Sequence, residues 1–141
     1  MLRYPLIHPP LLAVLAASGH GGRILIADSN FAHSTNANPA APLIHLNLRP
    51  GLIAADEVLA TILDAVPVES ALMMRPDDGS DSALQPAFAG LLGPDVPLSA
   101  VPRADFYAAC LDRTLAATIA TGDDRHYANI LLTIGAVTAA S

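Results

Sequence analysis

The chain has 141 residues, enough for one domain (1–141) whose core needs no covalent staples. Its net charge is −6 with no lysine, which argues against nucleic acid, and no basic amphipathic stretch points to a membrane surface. Hydrophobic residues make up 52% and charged residues only 14%, so part of the exterior is expected to be hidden in a homo-oligomer.

Along the chain, Pro9 and Pro10 suit a helix start, and the apolar run Leu11–Ala17 stops before Gly19. Arg3 ahead of that run gives it the outline of a leader. The prolines interrupt the apolar stretch, however, and no segment has the length to span a bilayer, so the chain reads as cytoplasmic. Ser18-Gly19-His20-Gly21-Gly22 then leads into Ile24–Ala27, a buried strand closed by Asp28. An imidazole stands before this strand and a carboxylate after it, a pair suited to acid–base work on a small polar molecule. The loop Ser29–Pro42 is long and rich in Asn, Ser and Pro, as functional loops in compact domains often are.

The spacing next predicts a strand over Leu43–Asn47 and a helix over Ala55–Val66, with Val58, Leu59, Ile62, Leu63 and Val66 on one stripe. A strand at Ala71–Met74, a polar loop at Arg75–Ser82 and a short helix at Leu84–Leu92 follow. The last third reads as strand Leu98–Val101, helix Ala104–Ala116, strand Thr118–Thr121 and strand Ile130–Thr133. Six strands alternating with helices make an α/β sheet covered on both faces. Cys110 is a lone cysteine, which suits a reducing compartment and reads as a small core hydrophobe.

Chemistry concentrates in two stretches. Glycines flank His20 and let the backbone approach a ligand, although they precede a strand and so form no phosphate cradle. A lone loop histidine is more often structural than catalytic. Asp28 either caps a turn or grips a ligand at the strand's carboxyl end, where open α/β sheets bind. In the second stretch, Thr121 to Leu132, strand alternation would place Tyr127 and Asn129 on one side, a phenol and an amide suited to recognising hydroxyls. The plainer alternative is a tyrosine at a strand edge with Asn129 closing a turn.

These residues carry a family resemblance. Leu11–Leu15, Gly19-His20-Gly21, Ile24–Asp28, Asn30-Phe31 and His33-Ser34 resemble the opening of the D-ribose pyranase / L-fucose mutarotase family. Tyr127-Ala128-Asn129-Ile130-Leu131-Leu132, with Gly135 and Val137, resembles its close, and Arg103-Ala104-Asp105-Phe106-Tyr107 is similar to the segment that gives the fucose branch its sugar-contacting arginine. The resemblance implies a three-layer α/β/α domain with a six-stranded mixed sheet. It also implies a homo-oligomer whose active site is completed by a neighbouring subunit. By position it makes His20 the catalytic proton donor, Asp28 the sugar-binding carboxylate, Arg103 the variable sugar contact, and Tyr127, Ala128 and Asn129 the closing clamp. Gly22 stands where family members usually carry Asp, and the Asp28 loop lacks a proline between Phe31 and Ala32.

The implied reaction is anomer exchange of a monosaccharide such as L-fucose, by opening and reclosing a cyclic hemiacetal. It needs acid–base groups and no metal, nucleotide or other cofactor. Two alternatives belong to other classes. One is a non-catalytic monosaccharide-binding protein serving transport or regulation. The other is a zinc site built from His20, His33, His45 and Asp28, for which no compact ligand spacing occurs.

Overall fold

Helix α1 (Pro9–Ala17) begins on its two prolines, where the missing N–H groups cost nothing. The His8 Nδ1 accepts the Leu11 N–H, and Ser18 ends the helix by donating its N–H and hydroxyl back to the last turn. Helix α2 (Ala55–Leu63) has no capping side chain at Ala54. Its first N–H is instead taken at 2.8 Å by the carboxylate of Asp123, far along the chain, with Asp56 and Glu57 complementing the same helix end. Helix α3 (Gln85–Leu92) stops at Gly93, whose φ of 85° is left-handed, and helix α4 (Arg103–Leu111) starts behind Pro102.

The computed structural model, which describes residues 1–139, arranges six strands in the order β2-β5-β1-β6-β3-β4. They are β1 (Arg23–Ala27), β2 (Leu43–His45), β3 (Val68–Met74), β4 (Leu98–Val101), β5 (Leu115–Ala120) and β6 (Ile130–Ile134). Strands β1, β2, β3, β4 and β5 run one way, and β6 runs antiparallel between β1 and β3. Alternation then divides the side chains. Ile24, Ile26, Ile130 and Leu132 join α1, α2 and α3 in one core, while Leu25, Ala27 and Leu131 join Phe106 and Cys110 of α4 in the other. The second core is also roofed by the 28–42 loop, which buries Phe31 and Ala37. The architecture is therefore the expected mixed sheet with apolar layers on both faces. No helix among the described residues is long and apolar enough to cross a membrane.

The element boundaries differ from expectation where tertiary pairing competes with local pattern. The helix predicted over 104–116 ends at Leu111, because Asp112 Oδ1 accepts both the N–H and the hydroxyl of Thr114 and turns the chain. Leu115 and Ala117 are then free to pair with Arg23 and Ile24, so β5 begins three residues earlier than the sequence suggests. Strand β3 also starts early, its Val68 and Ser70 pairing with Ile134 and Thr133. Helix α2 stops at Leu63, and the N–H groups of Ala65 and Val66 close back on Ile62. Gly122 lies so close to the Leu52 carbonyl that no Cβ would fit, which lets the 49–53 segment lock against the end of β5.

Candidate active site

Five strands end at one pole of the sheet, and the antiparallel β6 begins there. That arrangement gathers Asp28 after β1, Met74 at the end of β3, Arg103 after β4 and Tyr127 and Asn129 before β6. With Asn30, Phe31, Tyr107 and His126 they line a cavity of about 150 Å³. It lies outside the carboxyl ends of the strands, where open α/β sheets place their ligands.

Asp28 and Asn129 form a reciprocal pair. The Asp28 N–H donates to Asn129 Oδ1 at 2.8 Å, and Asn129 Nδ2 donates to Asp28 Oδ2 at 3.0 Å. Both residues are 4% exposed, so the contact joins the loop after β1 to the loop before β6 at low dielectric. Asp28 Oδ1 also accepts the Asn30 N–H. Burial pushes the Asp28 carboxyl above its ordinary value, against the pull of hydrogen bonds from Asn30, Asn129 and Phe31. This carboxylate is fixed, and its remaining lone pairs can take hydroxyl donors.

Arg103 is held over the cavity by Asp77, which accepts from Nη2 at 2.7 Å and Nε at 3.2 Å in a bidentate pair. The Tyr127 hydroxyl lies 3.5 Å from the same Nη2 and accepts the Asp77 N–H at 3.4 Å. These neighbours, Tyr127 first and Asp77 next, push the guanidinium still higher and keep it cationic. Edge-to-face stacking of Phe31 on Tyr107 and Phe106, with ring centroids 5.5 and 6.3 Å apart, stiffens the adjacent wall.

Of the residues singled out in the sequence, the structure brings Asp28, Arg103, Tyr127 and Asn129 together. Strand alternation is not the reason for the last two. Tyr127 sits in a turn with a φ of 61°, and β6 starts only at Ile130. Ala128 is fully buried and its methyl joins the core shared with α1, α2 and α3, away from the cavity. His20 is not brought to the others. It precedes β1 while Asp28 follows it, and five residues of strand separate them by roughly 16 Å. At its own pole the His20 Nε2 is 2.8 Å from Glu69 Oε2, at the start of β3.

Among the described residues, no three His, Cys, Asp or Glu side chains come together as a metal site. His33 packs beside Phe31 and is pulled below its ordinary value by burial, and its Nε2 is buried without a partner. Burial pushes the Cys110 thiol up to about 12, so it stays protonated. Tyr107 and His126, and the supports Asp77 and Glu69, escape a reading of the sequence. Arg103 and Asp77 are 26 positions apart, and His20 and Glu69 are 49 apart, so no local spacing links them.

Comparison with known proteins decides the lineage. Residues 1–137 match the RbsD / FucU transport protein family. The chain belongs to that family. It is 35% identical over 136 residues to a D-ribose pyranase of Paracidovorax citrulli, covering 96% of this chain and 98% of that protein. The Bacillus subtilis RbsD complexed with D-ribose shares the fold, with a TM-score of 0.82, 24% identity, and coverage of 98% of this chain and 100% of that one. A fucose mutarotase of Streptococcus pneumoniae in complex with L-fucose superposes with a TM-score of 0.79 at 28% identity, covering 98% of this chain and 100% of that one.

Proposed function

We propose that this chain is a sugar mutarotase that exchanges the anomers of a monosaccharide pyranose by opening and reclosing its ring. The observation that carries the reading is the convergence of Asp28, Arg103, Tyr127 and Asn129 on one cavity at the carboxyl pole. The pairing of Asp28 with Asn129, and of Arg103 with Asp77 and Tyr127, fixes hydrogen-bond acceptors and donors around one cavity. A sugar offers hydroxyls that both donate and accept, which suits such a cleft. Family membership and relatives named as a pyranase and a mutarotase support the same class of reaction.

His20 is the proton donor in this reading. It cannot reach the cavity of its own chain, so the working site joins one copy's cavity to His20 of a second copy. Exposed Ile7, Leu43, Leu48 and Leu111 supply apolar surface that such an assembly would cover. Two sugars compete as substrate. The L-fucose reading rests on Arg103, whereas the name of the 35%-identical relative favours D-ribose.

Saturation-transfer NMR on D-ribose and L-fucose tests the proposal, with accelerated exchange between anomers expected for at least one. Unchanged exchange with both would overturn it. The separation of His20 from the cavity also favours one second reading, a monosaccharide-binding protein without catalysis. Calorimetric binding in the absence of faster exchange would establish that reading instead.

A further inference from the structure

Opening a hemiacetal moves two protons, and few groups on the cavity wall are free to move one. Asp28 is engaged at both oxygens by Asn30 and Asn129. Arg103 is tied to Asp77, and a guanidinium does not release its protons. The Tyr127 hydroxyl already faces the Asp77 N–H and Arg103. Two groups are left, the Tyr107 phenol and the His126 imidazole. Both line the same cavity, and among the described residues no hydrogen bond or ion pair engages either side chain. Of the two, imidazole is the side chain better suited to proton exchange at neutral pH.

The backbone explains how His126 comes to be there. Neighbouring residues of a strand point to opposite faces, so an extended chain could not offer both His126 and Tyr127 to one cavity. The turn through residues 126–127, with Tyr127 left-handed at 61°, presents both. The turn is anchored from behind, where Asp123 accepts the Arg125 N–H at 3.0 Å and its guanidinium at 2.9 and 2.6 Å.

We infer that His126 is a second catalytic residue, the base for the anomeric hydroxyl. The inference rests on the mutarotase reading. Neutral His126 takes the anomeric proton, and the C1–O1 bond becomes the carbonyl. The bond from C1 to the ring oxygen breaks with its electron pair on that oxygen, which receives a proton from His20 of a second copy. After rotation about C1–C2 the freed hydroxyl adds to the other carbonyl face. Its proton returns to His20 and the carbonyl oxygen recovers one from His126, so both imidazoles end as they began.

The test measures anomer exchange and sugar affinity for wild type, His126→Gln, His126→Ala, His20→Ala and Tyr127→Phe. Exchange by both His126 variants should fall about a hundredfold or more, within the range of a positioned proton-transfer group. Affinity should stay close to wild type, and added imidazole should restore part of the rate to His126→Ala but not to His20→Ala. Full exchange by the His126 variants alongside a slow His20→Ala would overturn the role of His126 and leave the mutarotase reading standing. A loss that follows affinity alone, or one carried entirely by Tyr127→Phe, would also overturn it. Absence of exchange by wild type would overturn both readings.

Discussion

The two poles of this sheet are built from the same strands and carry opposite kinds of chemistry. At the carboxyl pole, Asp28 and Asn129 are buried in a reciprocal pair and Arg103 is clamped by Asp77, so the groups are held before any ligand arrives. At the amino pole, His20 and Glu69 form a single contact with side chains 60% and 46% exposed. A preorganised cleft favours binding and orientation, whereas an exposed imidazole on a glycine-flanked loop suits delivery to something outside its own chain. The antiparallel β6 creates the contrast. It carries Tyr127 and Asn129 into one pole at its start and docks the Gly21–Gly22 turn at the other through Ile134.

The sharpest way to break the comparison is to damage each pole separately. His20→Ala should fold normally and lose exchange by about a hundred- to ten-thousandfold, the worth of one positioned proton-transfer group, as read by saturation-transfer NMR. Mixing inactive His20→Ala with an inactive cavity variant, under conditions that let copies reassort, should recover part of the rate. Some pairs would then join an intact His20 to an intact cavity. A mixture as silent as its parts would place both functions within one chain.

The next largest effect concerns binding. Asp28→Asn keeps the shape of the side chain but replaces an acceptor with an amide, placing a donor where Asn129 Nδ2 or the Asn30 N–H already donates. Loss of charge-assisted hydrogen bonds should cost about 1.5–3 kcal/mol of sugar affinity by calorimetry. An unchanged affinity would assign Asp28 to the turn alone.

Local signals carry far in this chain. The apolar runs Ile24–Ala27 and Ile130–Leu132, the proline start of α1 and the stripe of α2 are all written in local sequence. Asp28 was legible because a carboxylate closing an apolar strand is a positional signal. Clamps between distant residues leave no such trace. Nothing near Arg103 announces Asp77, and nothing near His20 announces Glu69, because each partner arrives from another strand or loop. The left-handed turn at Tyr127 leaves no sequence signal for a related reason. Tyr is not a residue that advertises positive φ, so the run into β6 read as extended.

The cavity's support also responds to acid. Burial pushes the Asp123 carboxyl up, but hydrogen bonds from Arg125 and the Ala55 N–H outweigh burial and hold it below its ordinary value of 3.8. A carboxyl lowered in the folded state stabilises the fold above its unfolded value and loses that contribution as pH falls through the folded one. Melting temperature should therefore decline below about pH 4, and Asp123→Asn should flatten that decline while costing about 0.5–2 kcal/mol at neutral pH, the worth of a helix cap. An equally steep decline in the variant would move the acid sensitivity elsewhere.

The smallest effect should come from Glu69, and it sharpens the contrast between the poles. Its carboxylate meets Nε2 of His20, so in the proposed two-copy site Nδ1 is the nitrogen that would meet the sugar. Gly22 offers no acidic partner from within the loop, and among the described residues the side chain that engages the ring is Glu69. Glu69→Gln retains a hydrogen-bonding group at the same reach but loses the demand for a proton on Nε2. Its rate should fall only about fivefold or less, with KM unchanged, since an exposed pair contributes about 1 kcal/mol or less. The decisive reading is spectroscopic. The ¹⁵N shifts of His20 should show Nε2–H as the dominant neutral tautomer in wild type and a mixture in Glu69→Gln. An identical tautomer balance in the two proteins would mean that Glu69 only packs beside the loop.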